Sequence, residues 1–361
     1  MIFEFKQKSS DFFVSEQLPF VPTGEGEAFF VYISKRNLTT HDIIDHLRKE
    51  LGISRMSLGI AWLKDRKAIA KQWISIYDRA LTKAGGEKVF LESLSKIVRI
   101  VKTTRHTAPL NMSTPITNAF HITFKSTKNL WQKEKQKALE IVQQLLDDGY
   151  PNLFGKQRFG INGKNSTQWY ELMAGKSKEK FSKQDAVFKL QAYSSKLFND
   201  FVEKRARAGL ALLDGDIVTR VQHGEIQYGI YHDEGQTVHQ VDIRSDRKKF
   251  LFVPSTTGEI HPYDEMTMTV TGPVAGHNCA TTDPQTEAGK WEKSRWARHH
   301  LDAQSMRKYS SYPVYGLRRP IWVLPTQTKV WYKGDDLLID FTLPSGSYAS
   351  LVFDALERAL R

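Results

Sequence analysis

The sequence predicts an α+β fold in which one domain is interrupted by another, and three observations carry that expectation. Stretches with the two-residue alternation of strands and stretches with helical spacing both recur along the chain. The charge changes sign partway: residues 209–288 hold 12 Asp and Glu against 5 Lys and Arg, in a chain of 361 residues with a net charge of +12. Basic, aromatic and then strand-like sequence resumes beyond that segment, as it would if the tail returns to complete the first domain.

Residues 12–33 alternate and end in FFVYI, a strand signal after the turn-rich PTGEGE; Thr39 or Thr40 then caps a short amphipathic helix in HDIIDHLRKELG. Next, GIAWLKDRKAIAKQW reads as an apolar strand that runs up to Lys64, Asp65 and Arg66. ITNAFHITF (116–124) alternates with Phe120, Ile122 and Phe124 on one face. From Lys133 to Asp148 the residues Ala138, Ile141, Val142, Leu145 and Leu146 follow helical spacing, and Gly149 and Pro151 stop the helix. A second long helix spans about Gln184 to Ala208, with Leu190, Leu197, Phe201 and Val202 as its buried stripe. The acidic segment then reads as short strands and turns, DDLLIDFTLP as a strand, and a helix begins near Tyr348. There is no internal repeat and no low-complexity tract.

Composition excludes several classes. With 40% hydrophobic and 11% aromatic residues the chain can fill a core. No run approaches the roughly 18 apolar residues that span a bilayer, and MIFEFKQKSS lacks an apolar signal region, so a cytoplasmic protein with no membrane partner is expected. The one cysteine, Cys279, forms no internal disulfide. The positive charge, concentrated outside the acidic segment, favours a groove for a polyanion over a uniformly basic coat.

Common catalytic signatures are missing. The chain contains no CxxC, HExxH, GxxxxGK[ST] or GxGxxG, which removes the usual phosphate and dinucleotide cradles, and a zinc site around His277 and Cys279 would need scattered ligands. His299 and His300 lie in basic, aromatic sequence suited to solvent or phosphate, and the SGS at 345–347 suits a helix cap. Four stretches remain: TGEGEAFF, GIAWLKDRKAIAKQW, TNAF and PNLFGKQRFGINGKN. In the second, Asp65 is either part of a solvated turn or a carboxylate held at a pocket edge. In the last, Lys156, Arg158 and Lys164 interleave with Phe154 and Phe159, residue types that meet phosphates and unstacked bases.

In order and spacing these stretches resemble the TruD family of tRNA pseudouridine synthases. DFFVSEQLPFVPTGEGEAFFVYISKRNLTT resembles the N-terminal strand region, GIAWLKDRKAIAKQW the catalytic motif, TNAF the N-x-F motif and PNLFGKQRFGINGKN a fourth signature. LPSGSYASLVFDAL is similar to a stretch near the family's C-terminus, and LDGD (213–216) with TGPVAG (271–276) to its inserted domain. The resemblance implies a mixed-sheet catalytic domain of pseudouridine-synthase type, interrupted by an inserted α/β domain with a cleft between them. Its expected bounds are 1–172 and 313–361 for the catalytic domain and 173–312 for the insertion.

The implied activity is isomerisation of one tRNA uridine, by analogy uridine 13, without metal or cofactor; the sequence leaves the oligomeric state open, a monomer being slightly favoured. Asp65 matches the catalytic aspartate, which acts as nucleophile or base. Phe120 matches the residue that stacks on the base, and Asn118 one that orients loop or base. Lys35, Lys64, Arg66, Lys156, Arg158, Phe159 and Lys164 are expected to line the site or bind RNA, with Lys64, Arg66 or Lys67 favouring the charged form of Asp65. Trp62 departs from the family, which usually has glycine there; Ala70, Ala28 and the run Phe353, Asp354, Ala355 depart as well. The alternative is a non-catalytic tRNA-binding or RNA-chaperone protein on the same scaffold.

Overall fold

A computed structural model describes residues 2–111, 114, 116–160, 163–173, 181–222, 225–233, 237–241, 259–260, 268–276, 279–296, 312 and 314–361. By contacts the chain forms two units, one built mainly from Met1–Gly149 and Leu324–Arg361, the other mainly from Tyr150–Gln222 and Ile226–Val323.

The first unit is organised on a mixed sheet that has nine strands among the described residues. Its strands are β1 (Phe3–Glu4), β2 (Phe12–Gln17), β3 (Ala28–Arg36), β4 (Leu58–Gly59), β5 (Ile69–Tyr77), β6 (Arg99–His106) and β7 (Thr117–Ser126), joined by two late strands, Thr326–Lys333 and Asp336–Pro344. The late pair completes the sheet: Asp336–Pro344 lies against β7, with Phe341 opposite Phe120, and the chain from Leu324 onward groups with the first unit, against an expected start at 313. On its other side β7 pairs with β2, placing Val14 opposite Phe120 and Glu16 opposite Asn118. The β2–β5 pair is parallel, its neighbours antiparallel, and β3 continues the sheet to β6.

Alternation decides which face each residue takes. Phe29, Val31 and Ile33 of β3 pack under helix α1 (Thr40–Leu51), through Ile43, Ile44 and Leu47, and under helix α3 (Gly86–Ser95), through Phe90 and Leu94; the short α2 (Asp78–Lys83) adds Leu81. Toward β7, Phe124 meets Phe353 of the C-terminal helix Ser350–Ala359, and helix α4 (Gln132–Asp148) buries Ala138, Val142 and Leu146. The caps follow ordinary chemistry: Thr39 accepts from Asp42 N–H at the start of α1, and Gly52 ends it in the left-handed conformation at φ 64°.

The expected strand leading up to Asp65 is a correction. Only Leu58–Gly59 is strand there, residues 60–68 are irregular, and the long strand β5 begins after the charged residues. The cause is that the loop's backbone bonds to side chains and cations in place of a neighbouring strand.

The second unit contains β8 (Tyr150–Pro151), β9 (Ile217–Gln222), β10 (Glu225–His232), β11 (Thr237–Val241), β12 (Glu259–Ile260), β13 (Met268–Val274), β14 (Leu317–Pro320) and β15 (Trp322–Val323), with β16 and β17 as the two late strands of the first unit. Its larger sheet runs β12-β11-β10-β9-β13-β14. Helix α6 (Lys183–Arg207) lays Phe198, Phe201 and Val202 on Val218, Val270 and Val274. Residues 150–154 group with this unit, because β8 pairs with β15 and Phe154 N–H donates to Asn199, whereas the expected boundary stood at 172/173.

Candidate active site

The site is built on the loop 60–68, and its anchor is Gly59. A Cβ there would lie 2.4 Å from the Leu110 carbonyl oxygen, so only glycine lets the chain enter the loop at this point. Three consecutive charged side chains then leave in three directions. Lys64 turns inward, its Nζ 2.9 Å from Glu16 Oε1 and donating to Asn118 Oδ1. Arg66 turns outward and grips Asp42 of α1 at 3.0 and 3.2 Å. Asp65, between them, keeps its carboxylate 43% exposed and 2.6 Å from the ammonium of Lys6.

Helix α1 supplies the floor of the loop. Lys64 N–H donates to Thr40 Oγ1 at 3.0 Å, and that hydroxyl donates to Gln72 Oε1 of β5. Lys35, near the end of β3, is 1% exposed and donates to the carbonyl oxygens of Leu38, Lys64 and Asp65. It therefore faces peptide oxygens and not solvent. Burial pulls its ammonium down to about 8, with Lys64 acting in the same direction and Asp65, Asp42 and Glu16 opposing. Burial likewise pushes the Glu16 carboxyl up, opposed by the Lys64 charge and by the Trp73 N–H at 2.8 Å. The Thr39 N–H and hydroxyl hold Asp42 below the usual carboxylate range, helped by Arg66.

Beside Asp65 stands an aromatic wall. The Lys6 ammonium sits 3.7 Å from the centroid of the Phe12 ring; Phe12 meets Phe120 edge-on at 5.7 Å, and Phe120 stacks on Phe341 at 5.4 Å. Phe120 is 9% exposed, so most of its ring belongs to this wall. Asn118 and Glu16, on neighbouring strands, are both buried behind Lys64. Trp62 is half-buried, and its indole N–H is enclosed without a hydrogen-bond partner among the described residues.

The structure thus brings together Asp65, Lys35, Lys64, Arg66, Asn118 and Phe120. Lys64, Arg66 or Lys67 was expected to favour the charged form of Asp65; in the structure Lys64 is committed to Glu16 and Asn118, Arg66 to Asp42, and the cation that pairs with Asp65 is Lys6. Sequence reasoning missed Lys6, Glu16, Thr40, Asp42 and Gln72. A signal for Glu16 existed: it continues the buried phase of Phe12 and Val14, where a carboxylate needs a partner.

Lys156, Arg158, Phe159 and Lys164 lie in the second unit. Lys156–Phe159 form one tight helical turn in which Arg158 Nε donates to Ser195 Oγ at 3.1 Å and its guanidinium covers Phe154. Lys156 and Lys164 are exposed, Phe159 half-buried, and Lys164 opens helix α5 (Lys164–Met173). Burial pushes the Cys279 thiol up to about 12, which makes it a poor nucleophile. His277, His299 and His300 lie outside the described residues.

A family model described as tRNA pseudouridine synthase D (TruD) matches residues 3–168 and 176–355. The chain is 30% identical over 350 residues to a tRNA pseudouridine synthase D of Thermus thermophilus, covering 96% of this chain and 86% of that protein. It is 29% identical over 360 residues to the protein of the same name from Aeromonas hydrophila, covering 98% and 90%. Among solved structures, that of a TruD candidate from Methanosarcina mazei covers 99% of this chain and 93% of its own, with a TM-score of 0.64 at 18% identity, a likeness of fold. Among the described residues no helix is long and apolar enough to cross a membrane.

Proposed function

The chain belongs to the TruD family of tRNA pseudouridine synthases, and from that premise we propose that it isomerises one uridine of a tRNA, by family analogy uridine 13, using the carboxylate of Asp65 and no cofactor. The reaction breaks the N1–C1′ bond, turns the base and joins C5 to C1′. It is redox-neutral: the C5 proton leaves to solvent and N1, freed from C1′, takes up a proton. One carboxylate able to touch the nucleoside, as nucleophile or base, meets its chemical need.

The observation that carries this reading is the exposure of Asp65 on a loop whose flanking charges, Lys64 and Arg66, are committed elsewhere. Its carboxylate is 43% exposed and paired with Lys6, while the loop beneath is fixed by Thr40, Asp42, Glu16 and Lys35. Such a placement presents one reactive group without allowing it to wander, which is how positioning lowers a barrier. A uridine must leave its stack to reach that group, at a cost of a few kcal/mol. Phe120, backed by the buried rings of Phe12 and Phe341, offers its exposed edge as the part that meets the base and offsets some of this cost. Asn118 orients the loop through Lys64. Lys156, Arg158, Phe159 and Lys164 serve as RNA contacts of the second unit.

The test is to incubate unmodified tRNA transcripts with the protein and map pseudouridine by carbodiimide modification and primer extension. A new stop at uridine 13 supports the reading. Retained tRNA binding with no pseudouridine in any transcript would instead support the non-catalytic RNA-binding alternative.

A further inference from the structure

We propose that Lys35 is a positioning residue of the reaction: its buried ammonium sets the backbone of the Asp65 loop by holding the carbonyls of Leu38, Lys64 and Asp65 on one nitrogen. The inference rests on the reading of Asp65 as the reacting carboxylate.

The geometry has three parts. An ammonium carries three N–H donors, and Lys35 meets three carbonyl oxygens, of Leu38, of Lys64 at 3.3 Å and of Asp65 at 2.8 Å. These carbonyls belong to two segments: Leu38 leads into α1, and Lys64 and Asp65 form the loop before β5. The lysine is 1% exposed and opposite Ala70, a side chain too small to compete for the ammonium. An uncharged side chain of similar length would leave three carbonyls without their shared donor, that of Lys64 in a buried setting, and the loop would move to hydrate them.

The charged groups around Lys35 are Asp65, Asp42, Glu16 and Lys64, and the first three favour its charged form. Each of those carboxylates has a nearer cation, in Lys6, Arg66 and Lys64. Among the described residues Lys35 therefore has no carboxylate of its own, and burial leaves it near 8 in place of the usual 10.5. Deprotonation removes one of the three donors and the charge that strengthens the others. The loop should loosen as pH rises through about 8, and the rate should fall.

Global stability moves the other way. Between about 8 in the folded chain and 10.5 in the unfolded chain, the unfolded chain binds more protons at this group, so Lys35 raises stability as pH increases across that window. A falling rate with an undiminished unfolding midpoint is the signature of positioning.

The experiment compares the full-length protein with Lys35→Met, using tRNA tritiated at uridine C5, under single-turnover conditions across about pH 6.5 to about pH 9.5, with tRNA affinity, urea midpoint and amide hydrogen exchange measured alongside. Lys35→Met is expected to slow tritium release about tenfold to a hundredfold while tRNA affinity changes by less than about threefold. The wild-type decline near pH 8 should be absent from the variant. Weakened tRNA binding with an unchanged rate, or the same decline in both proteins, would overturn the proposal. Exchange separates its failure from that of the parent reading. Without any tritium release by wild type the synthase reading falls, but faster exchange at 61–68 in Lys35→Met would still uphold the clamp. Should the variant not fold, the wild type decides: protection of 61–68, corrected for intrinsic exchange, must fall through about pH 8 relative to β5, and a constant ratio would overturn the proposal.

Discussion

Asp65 carries its carboxylate into solvent while both of its sequence neighbours turn away from it. Lys6 reaches it from 59 residues back, with its own backbone at φ 57°, a left-handed conformation that costs a non-glycine residue about 1 kcal/mol. Replacing Lys6 with Met should slow tritium release at least about tenfold. Because the pair is partly exposed, stability to urea should change by less than about 1 kcal/mol. Glu16 behaves in the opposite way: it is buried with Lys64, so Glu16→Ala strands an ammonium and should lower the unfolding free energy by about 3 to 5 kcal/mol. Asp65, Asn118 and Phe120 entered as candidates through motif order. The sequence hid Lys6, because a contact made across the fold and through a left-handed backbone leaves no local spacing to read.

Among the elements, the first turn of α1 joins folding to the site. Its capping box uses Thr39 and Asp42, and Asp42 also grips Arg66 of the loop while Thr40 binds the loop's backbone. Thr39→Ala should cost about 1 kcal/mol of stability. It should also speed amide exchange at 61–68, since the cap holds Asp42 in place for Arg66; unchanged exchange there would show that cap and loop are independent. The capping residue was readable from its type and position, and so were α4 and α6 from helical spacing. β5 was placed too early because Ile69–Tyr77 carries Lys71 and Gln72 among its apolar residues, and because the apolar run Gly59–Leu63 before the charged residues imitates a strand. Only the pairing with β2 and β3 settles where it begins.

For the whole molecule, the net charge of +12 bears on the partner. Binding through phosphates releases counterions, so tRNA affinity should fall at least about tenfold between about 50 and about 200 mM monovalent salt, as a filter-binding titration would read. A flat response would contradict an electrostatic footprint. The return of the chain's tail to the first sheet was legible from the sequence because its charge and alternation resume after the acidic segment. The residues at the join were not, since the short β8 and β15 carry no periodicity and are defined by pairing with each other.

On the proposed function, Asp65→Asn removes the chemistry and leaves the scaffold intact. The measurement that tests it most directly is single-turnover release of tritium from tRNA labelled at uridine C5, by wild type and by Asp65→Asn, with tRNA binding measured on the same preparations. The expected result is release by wild type, none by the variant, and tRNA affinity within about threefold for both. Release by Asp65→Asn at the wild-type rate would contradict the assignment.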